Sequence, residues 1–143
     1  MATFAGNFFP PEYKTFPFKE GDLLASRRSG GKYSINKVLK VDKIFLKKGA
    51  AINIQGQSFI ATEDDYLLVI SCSYGASEFN SIDDARAAAA NGKWTVHLAH
   101  APNRSPGAAV DKVHIGHAPV QAQELNGYTV WRKNFDQGKA GIF

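Results

Sequence analysis

The residues of this chain whose types and spacing could do chemistry are four histidines and one cysteine. The histidines fall in two pairs, His97-Leu98-Ala99-His100 and His114-Ile115-Gly116-His117, each with i, i+3 spacing. Imidazoles so spaced can meet at one metal ion when each pair lies on a helix or in a loop. The first pair, however, closes a strand-like run, where i and i+3 face opposite ways. No Asp or Glu stands within two residues of any of the four to orient a ligand, although Asp111 is three residues from His114. The pattern predicts half-exposed histidines that hold no metal, and it implies no cofactor. Cys72 lies in Val69-Ile70-Ser71-Cys72-Ser73, an apolar run with no base nearby. Burial keeps a thiol protonated and inert, so Cys72 reads as core. A Gly-x-Ser-x-Gly elbow is absent, Ser29-Gly30-Gly31 is explained by a turn, and Asp83 and Asp84 by a helix start. No catalytic residue is assigned.

The tetrapeptide His114-Ile115-Gly116-His117 resembles the signature of class I aminoacyl-tRNA synthetases and related nucleotidyl transferases. In those enzymes it follows the first strand of a doubly wound sheet, with much α/β structure after it. Neither that setting nor a downstream lysine-serine motif is present here, so the resemblance assigns no role to the four residues.

Charge is the second signal. The net charge of +4 is uneven: ten Lys/Arg stand against four Asp/Glu in residues 1–48, and seven against nine in residues 49–143. The two segments either neutralise one another on folding or form a dipolar surface that steers partners. The basic run carries Arg27, Arg28, Lys32, Lys37, Lys40, Lys43, Lys47 and Lys48, with Tyr33 and Phe45 between them. A positive surface with aromatic platforms is how small barrels bind single-stranded nucleic acid. Tyr33 and Phe45, however, share the parity of the strand's apolar residues and read as core. The candidate binding residues are Arg27, Arg28, Lys32, Lys40, Lys47, Lys48 and, from a Pro/Gly-containing loop over 101–109, Arg104. The leading expectation is a non-enzymatic binding protein with an acidic protein partner. A nucleic-acid-binding module is the alternative, and a small metal-dependent or hydrolytic enzyme built on the histidine pairs is the third reading. No apolar run approaches the roughly 18 residues of a membrane span. The N-terminus lacks a basic segment followed by an apolar core, and a single cysteine allows no internal disulfide. The expected setting is cytoplasmic.

The elements that must position these residues follow from periodicity and turn chemistry. Strands are predicted over 23–28, 33–45, 51–54, 58–61, 66–74 and 94–99, in one antiparallel sheet, with a further short strand at 113–115. The glycines of Ser29-Gly30-Gly31-Lys32 turn the first hairpin. Within 33–45 the odd positions are mostly apolar, but Lys37, Val38, Lys43 and Ile44 break the alternation. A β-bulge or a snorkelling lysine would repair the break, and an edge-strand lysine is the favoured account of the two lysines. Residues 66–74 carry hydrophobes on both parities, which predicts a central strand. Ser81-Ile82-Asp83-Asp84 opens a helix that Asn91-Gly92 stops. From Pro119 the chain reads helical, interrupted at Asn126-Gly127, with Tyr128, Trp131 and Phe135 on one face as a cover for the sheet. The fold class expected is α+β, in one domain over 1–143: a strongly curved antiparallel sheet or small barrel, with one inserted helix and a C-terminal helical cover. Residues 18–75, with Gly21-Asp22, a strand, a glycine turn and a long second strand, are similar to the opening of Src-homology-three-like barrels.

Overall fold

The computed structural model describes residues 8–143. The first residues of the stretch judged above for a leader therefore lie outside the described ones. Five strands form an antiparallel sheet: β1 (Asp22–Arg27), β2 (Tyr33–Leu46), β5 (Asp65–Gly75), β6 (Val96–Arg104) and β7 (Lys112–His117), in the order β6-β5-β2-β1-β7. A separate two-stranded sheet pairs β3 (Ala51–Ile54) with β4 (Gln57–Ile60). The helices are α1 (Ile82–Ala90), the short α2 (Ser105–Ala109) and α3 (Asn126–Asp136), which a 3-10 turn at Ala122–Leu125 precedes.

The barrel expectation is corrected: the sheet is open. Closure would need β6 to pair with β7, and β5, β2 and β1 separate them. Nor do all the strands join one sheet, because β3 and β4 pair only with each other among the strands. The edge-lysine account of Lys37 also fails, since β2 lies between β1 and β5. Residues 66–74 do form an interior strand. The segment 101–109, expected as an exposed loop, completes β6 and then forms α2, with Ala101, Ser105 and Ala108 buried. Pro106 lies in the first turn of α2, where its missing N–H costs nothing. Asn126-Gly127 starts α3 and does not interrupt a longer helix.

Turn and cap chemistry explain the local boundaries. Gly30 and Gly31 carry φ of 85° and 78°, the left-handed backbone that the first hairpin turn requires. The Ser81 hydroxyl accepts from the Asp84 N–H at 3.0 Å and caps α1.

The broken alternation of β2 is a bulge at Leu39. Val38 pairs with Cys72 but Lys40 pairs with Ser71, leaving Leu39 as the extra residue. The bulge switches the parity of β2, so Ile35 and Lys37 share a face with Ile44 and Leu46. That face carries two cores. At one end Leu23, Ala25, Ile35 and Ile115 pack against Ala85, Ala88 and Ala89 of α1. At the other, Ile44, Leu46, Leu67 and Val69 pack against Phe9, Ile52, Trp131 and Ile142. Trp131 is buried, with half-buried Tyr128 and Phe135 beside it, so the aromatic stripe of α3 does cover the sheet. The opposite face buries Leu24, Val38, Ile70 and Cys72 under Phe16, Phe18 and Ala108.

Candidate functional site

The seven candidate binding residues do not form one patch. Arg27, Arg28 and Lys32 are exposed together at the tip of the β1–β2 hairpin, where the Arg28 N–H donates to the Lys32 carbonyl at 2.7 Å. Lys47 and Lys48 stand at the far end of the 14-residue β2, exposed in the turn to β3. There the Asp64 carboxylate accepts from the Lys48 N–H at 2.8 Å, so an acidic neighbour offsets part of that charge. Lys40 is half-buried, with its ammonium 6.0 Å from the centre of the Tyr128 ring. Arg104 is held by the body of the protein: Nη1 donates to the Tyr13 hydroxyl at 2.8 Å and Nε to the Phe143 carbonyl at 3.0 Å. Lys37, only 5% exposed, donates to Glu124 Oε1 at 2.9 Å and to the Pro119 carbonyl at 3.2 Å. Phe45, expected in the core, is 51% exposed because the bulge reverses its parity. The Lys43 ammonium lies 5.3 Å from its ring and 4.3 Å from that of Tyr66.

The histidine pairs do not meet. His100 is half-buried against Trp131 and Tyr128, with Nε2 2.9 Å from the hydroxyl of buried Ser71. Burial lowers its pKa, because a charged imidazole would lose its water there. His97 is exposed. The second pair behaves differently, for a reason the sequence hid. β7 has a bulge at Ile115, so that His114 pairs with Leu24 and His117 with Asp22. Leu24 and Asp22 are two apart on β1, hence on one face, and the bulge brings both imidazoles to that face.

Between them lies Asp22, only 3% exposed. His117 Nδ1 is 3.0 Å and His114 Nε2 3.3 Å from the same carboxylate oxygen, and the Lys19 N–H donates to the other at 2.9 Å. A carboxylate only accepts, so both imidazoles donate to it. Burial pushes the Asp22 pKa up, but the Lys19, His117 and His114 hydrogen bonds outweigh it and the net shift is downward. His117 also lies flat against Gly21: a Cβ there would fall 2.5 Å from His117 Cε1. Sequence reasoning looked for an acid beside the histidines along the chain. The one that binds them comes from another strand, and Gly21-Asp22 was read only as a strand start. The cluster anchors β7 to β1 and leaves two partly exposed imidazoles at the sheet edge. Among the described residues, no group of three or more His, Cys, Asp or Glu side chains forms a metal site.

Cys72 is fully buried and its pKa is pushed up to about 12 by burial, so the thiolate needed for nucleophilic chemistry does not form. No helix among the described residues is long and apolar enough to cross a membrane. Compared with protein-family models, curated proteins and solved structures, the chain matches none.

Proposed function

We propose that the protein is a non-enzymatic binding module that receives an acidic protein partner at the tip of its β1–β2 hairpin. The observation that carries this reading is the state of Arg27, Arg28 and Lys32. All three are exposed around one glycine turn, and none takes part in the ion pairs found among the described residues. Of the basic residues singled out, Lys37 and Arg104 serve the fold, Lys40 leans on Tyr128, and the Asp64 carboxylate itself sits on the Lys48 N–H, whereas at the tip it is the Asp111 carbonyl that takes the Arg27 N–H, at 3.1 Å. A concentrated positive tip raises encounter rates with an acidic surface and sets its orientation. The lone Cys72 suits a reducing, cytoplasmic setting.

A second reading rests on a different observation. Exposed Phe45, with the Lys43 ammonium close by and Lys47 and Lys48 in the next turn, has the combination of cation and aromatic ring that single-stranded nucleic acid stacks on. One titration series separates the two. A Glu/Asp-rich peptide and a short single-stranded oligonucleotide are titrated into the protein at low and at physiological salt. The leading reading expects the peptide to bind and the charge-reversed variant Arg27→Glu/Arg28→Glu to lose about tenfold or more in affinity. Oligonucleotide binding that survives this reversal but is lost in Phe45→Ala moves the function to the other end of β2. Peptide binding untouched by the reversal removes the hairpin tip as the site.

A further inference from the structure

On the helix-covered face of the sheet, away from the hairpin tip, a cavity of about 330 Å³ lies between β6 and the turn that leads into α3. Its size is at the small end of pockets that hold ligands. The floor is Leu39, the extra residue of the β2 bulge, beside Ser73 of β5. Val96 and Ala99 of β6 line it with aliphatic groups, and Gln123, Glu124 and Asn126 with polar ones.

Ser73 is the informative member. It is 4% exposed, and among the described residues its hydroxyl oxygen has no hydrogen-bond partner. Lys37, its register partner on β2, directs its ammonium to Glu124 and the Pro119 carbonyl. Buried hydroxyls are almost always satisfied, and Ser73 lines this cavity, so an occupant that reaches its hydroxyl would supply the partner that none of the described residues does. The charge of the polar lining is already cancelled. Glu124 Oε1 receives Lys37 Nζ at 2.9 Å and the Gln121 N–H at 2.8 Å. A cationic or anionic occupant would gain no counter-ion and would lose its hydration. A neutral one that both donates and accepts would satisfy the Ser73 hydroxyl and the Gln123 and Asn126 amides. Its apolar part would lie on Leu39, Val96 and Ala99. Among the described residues no aromatic side chain lines the cavity, so they offer no stacking platform for a sugar ring or a base.

We propose that this cavity is a binding site for a small uncharged molecule with an aliphatic body and one end group that both donates and accepts hydrogen bonds, the chemistry of a primary amide or an alcohol. The site is independent of the hairpin tip, and neither reading depends on the other.

Four probes with one branched aliphatic body test it: isobutyramide, isobutanol, isobutyrate and isobutylammonium, titrated into the full chain and followed by amide NMR. Isobutyramide or isobutanol is expected to give saturable shifts at Ser73, Ala99 and Gly127, and to differ from one another in affinity if the site prefers one end group. The two charged probes are expected to give none. Ser73→Ala removes only an unpartnered hydroxyl, so the variant is expected to fold with an unchanged or raised unfolding midpoint and to lose the saturable shifts. Arg27→Glu/Arg28→Glu is expected to titrate as the parent does. Three outcomes each overturn the proposal: no saturable shift with either neutral probe, an equal response to a charged probe, or Ser73→Ala titrating like the parent. A high-resolution structure from an isobutyramide soak, in which a water stays on the Ser73 hydroxyl undisplaced, also overturns it.

Discussion

Asp22 and Asp65 are buried carboxylates that remain acidic. Asp65 is fully buried, yet it accepts from the Phe9 N–H at 2.6 Å and the Tyr66 N–H at 2.7 Å, and Lys14 Nζ lies 3.0 Å away. Burial raises its pKa, those partners lower it, and the balance falls below the ordinary 3.8, as it does for Asp22. A carboxyl with a depressed folded pKa contributes stability that is complete above its unfolded pKa and is lost as pH falls through the folded one. The two carboxyls should therefore make the urea unfolding free energy fall below about pH 4, and His100, whose pKa burial lowers from 6.5, should add an earlier decline as pH falls through that value. Asp65→Asn is expected to cost about 1–3 kcal/mol near neutrality, because one amide oxygen cannot replace both carboxylate oxygens that accept from the Phe9 and Tyr66 N–H groups. The same variant should flatten the acid decline. A decline as steep as the parent's would show that Asp65 contributes nothing to it. Cys72 gives a second check at this scale. With its thiol pKa at about 12 and no exposure, its reaction with a thiol reagent should wait for global unfolding and quicken with denaturant as unfolding does. Fast labelling of the native protein would contradict the burial of β5.

At the scale of elements, caps and close approaches set the boundaries. Ser81→Ala removes the acceptor of the Asp84 N–H and is expected to cost about 1 kcal/mol, measured by urea denaturation. The placement of α3 depends on Gly127. A Cβ at that position would sit 2.7 Å from the Cβ of His100, closer than two carbons can approach. Gly127→Ala is therefore expected to push α3 away from β6 and to cost about 1–3 kcal/mol, although alanine is the better helix former. A stability gain in this variant would mean that α3 is not docked where His100 and Trp131 place it. The cap was legible in the sequence, because Ser81 and its acids are a local pattern. The role of Gly127 was not, since its neighbour is 27 residues away along the chain.

At the scale of the whole molecule, the two sheets are joined by the last residues described. The Ile142 N–H donates to the Asn53 carbonyl of β3 at 3.0 Å, and the Gln55 N–H to the Ile142 carbonyl at 2.8 Å. On the other side the Phe143 N–H donates to the Pro102 carbonyl of β6 at 2.9 Å, and the Arg104 N–H returns the bond to Phe143. Ile142 itself is 3% exposed in the core beneath Trp131. Ile142→Ala is expected to cost about 2–5 kcal/mol in urea unfolding. It should also make β3–β4 the first segment cut in limited proteolysis, since Ile142 packs with Ile52 and Ile54 and its backbone pairs with Asn53 and Gln55. Destabilisation without preferential cleavage there would show that the tail does not hold the small sheet.

The sequence by itself determined most of the elements and much of the core, but not the run of β6 on to Arg104 or the helix α2 after it. Glycine turns, the Ser81 cap, the double-sided hydrophobicity of 66–74 and the stripe of Tyr128, Trp131 and Phe135 are local signals, governed by backbone sterics and the 2.0 and 3.6 periods. It also flagged the defect in β2, because a bulge leaves a break in alternation. What it could not decide was which strands become neighbours. Only the tertiary structure put β2 in the interior, left the sheet open, brought Asp22 between His114 and His117, and gave buried Lys37 its partner in Glu124. It also split the basic residues, which are adjacent along the chain, between opposite ends of a long strand. The physical reason is the same in each case. A pair across a sheet or between a helix and a sheet is fixed by register and bulges, whose effect on side-chain direction accumulates over many residues and leaves no mark at the residues that finally meet.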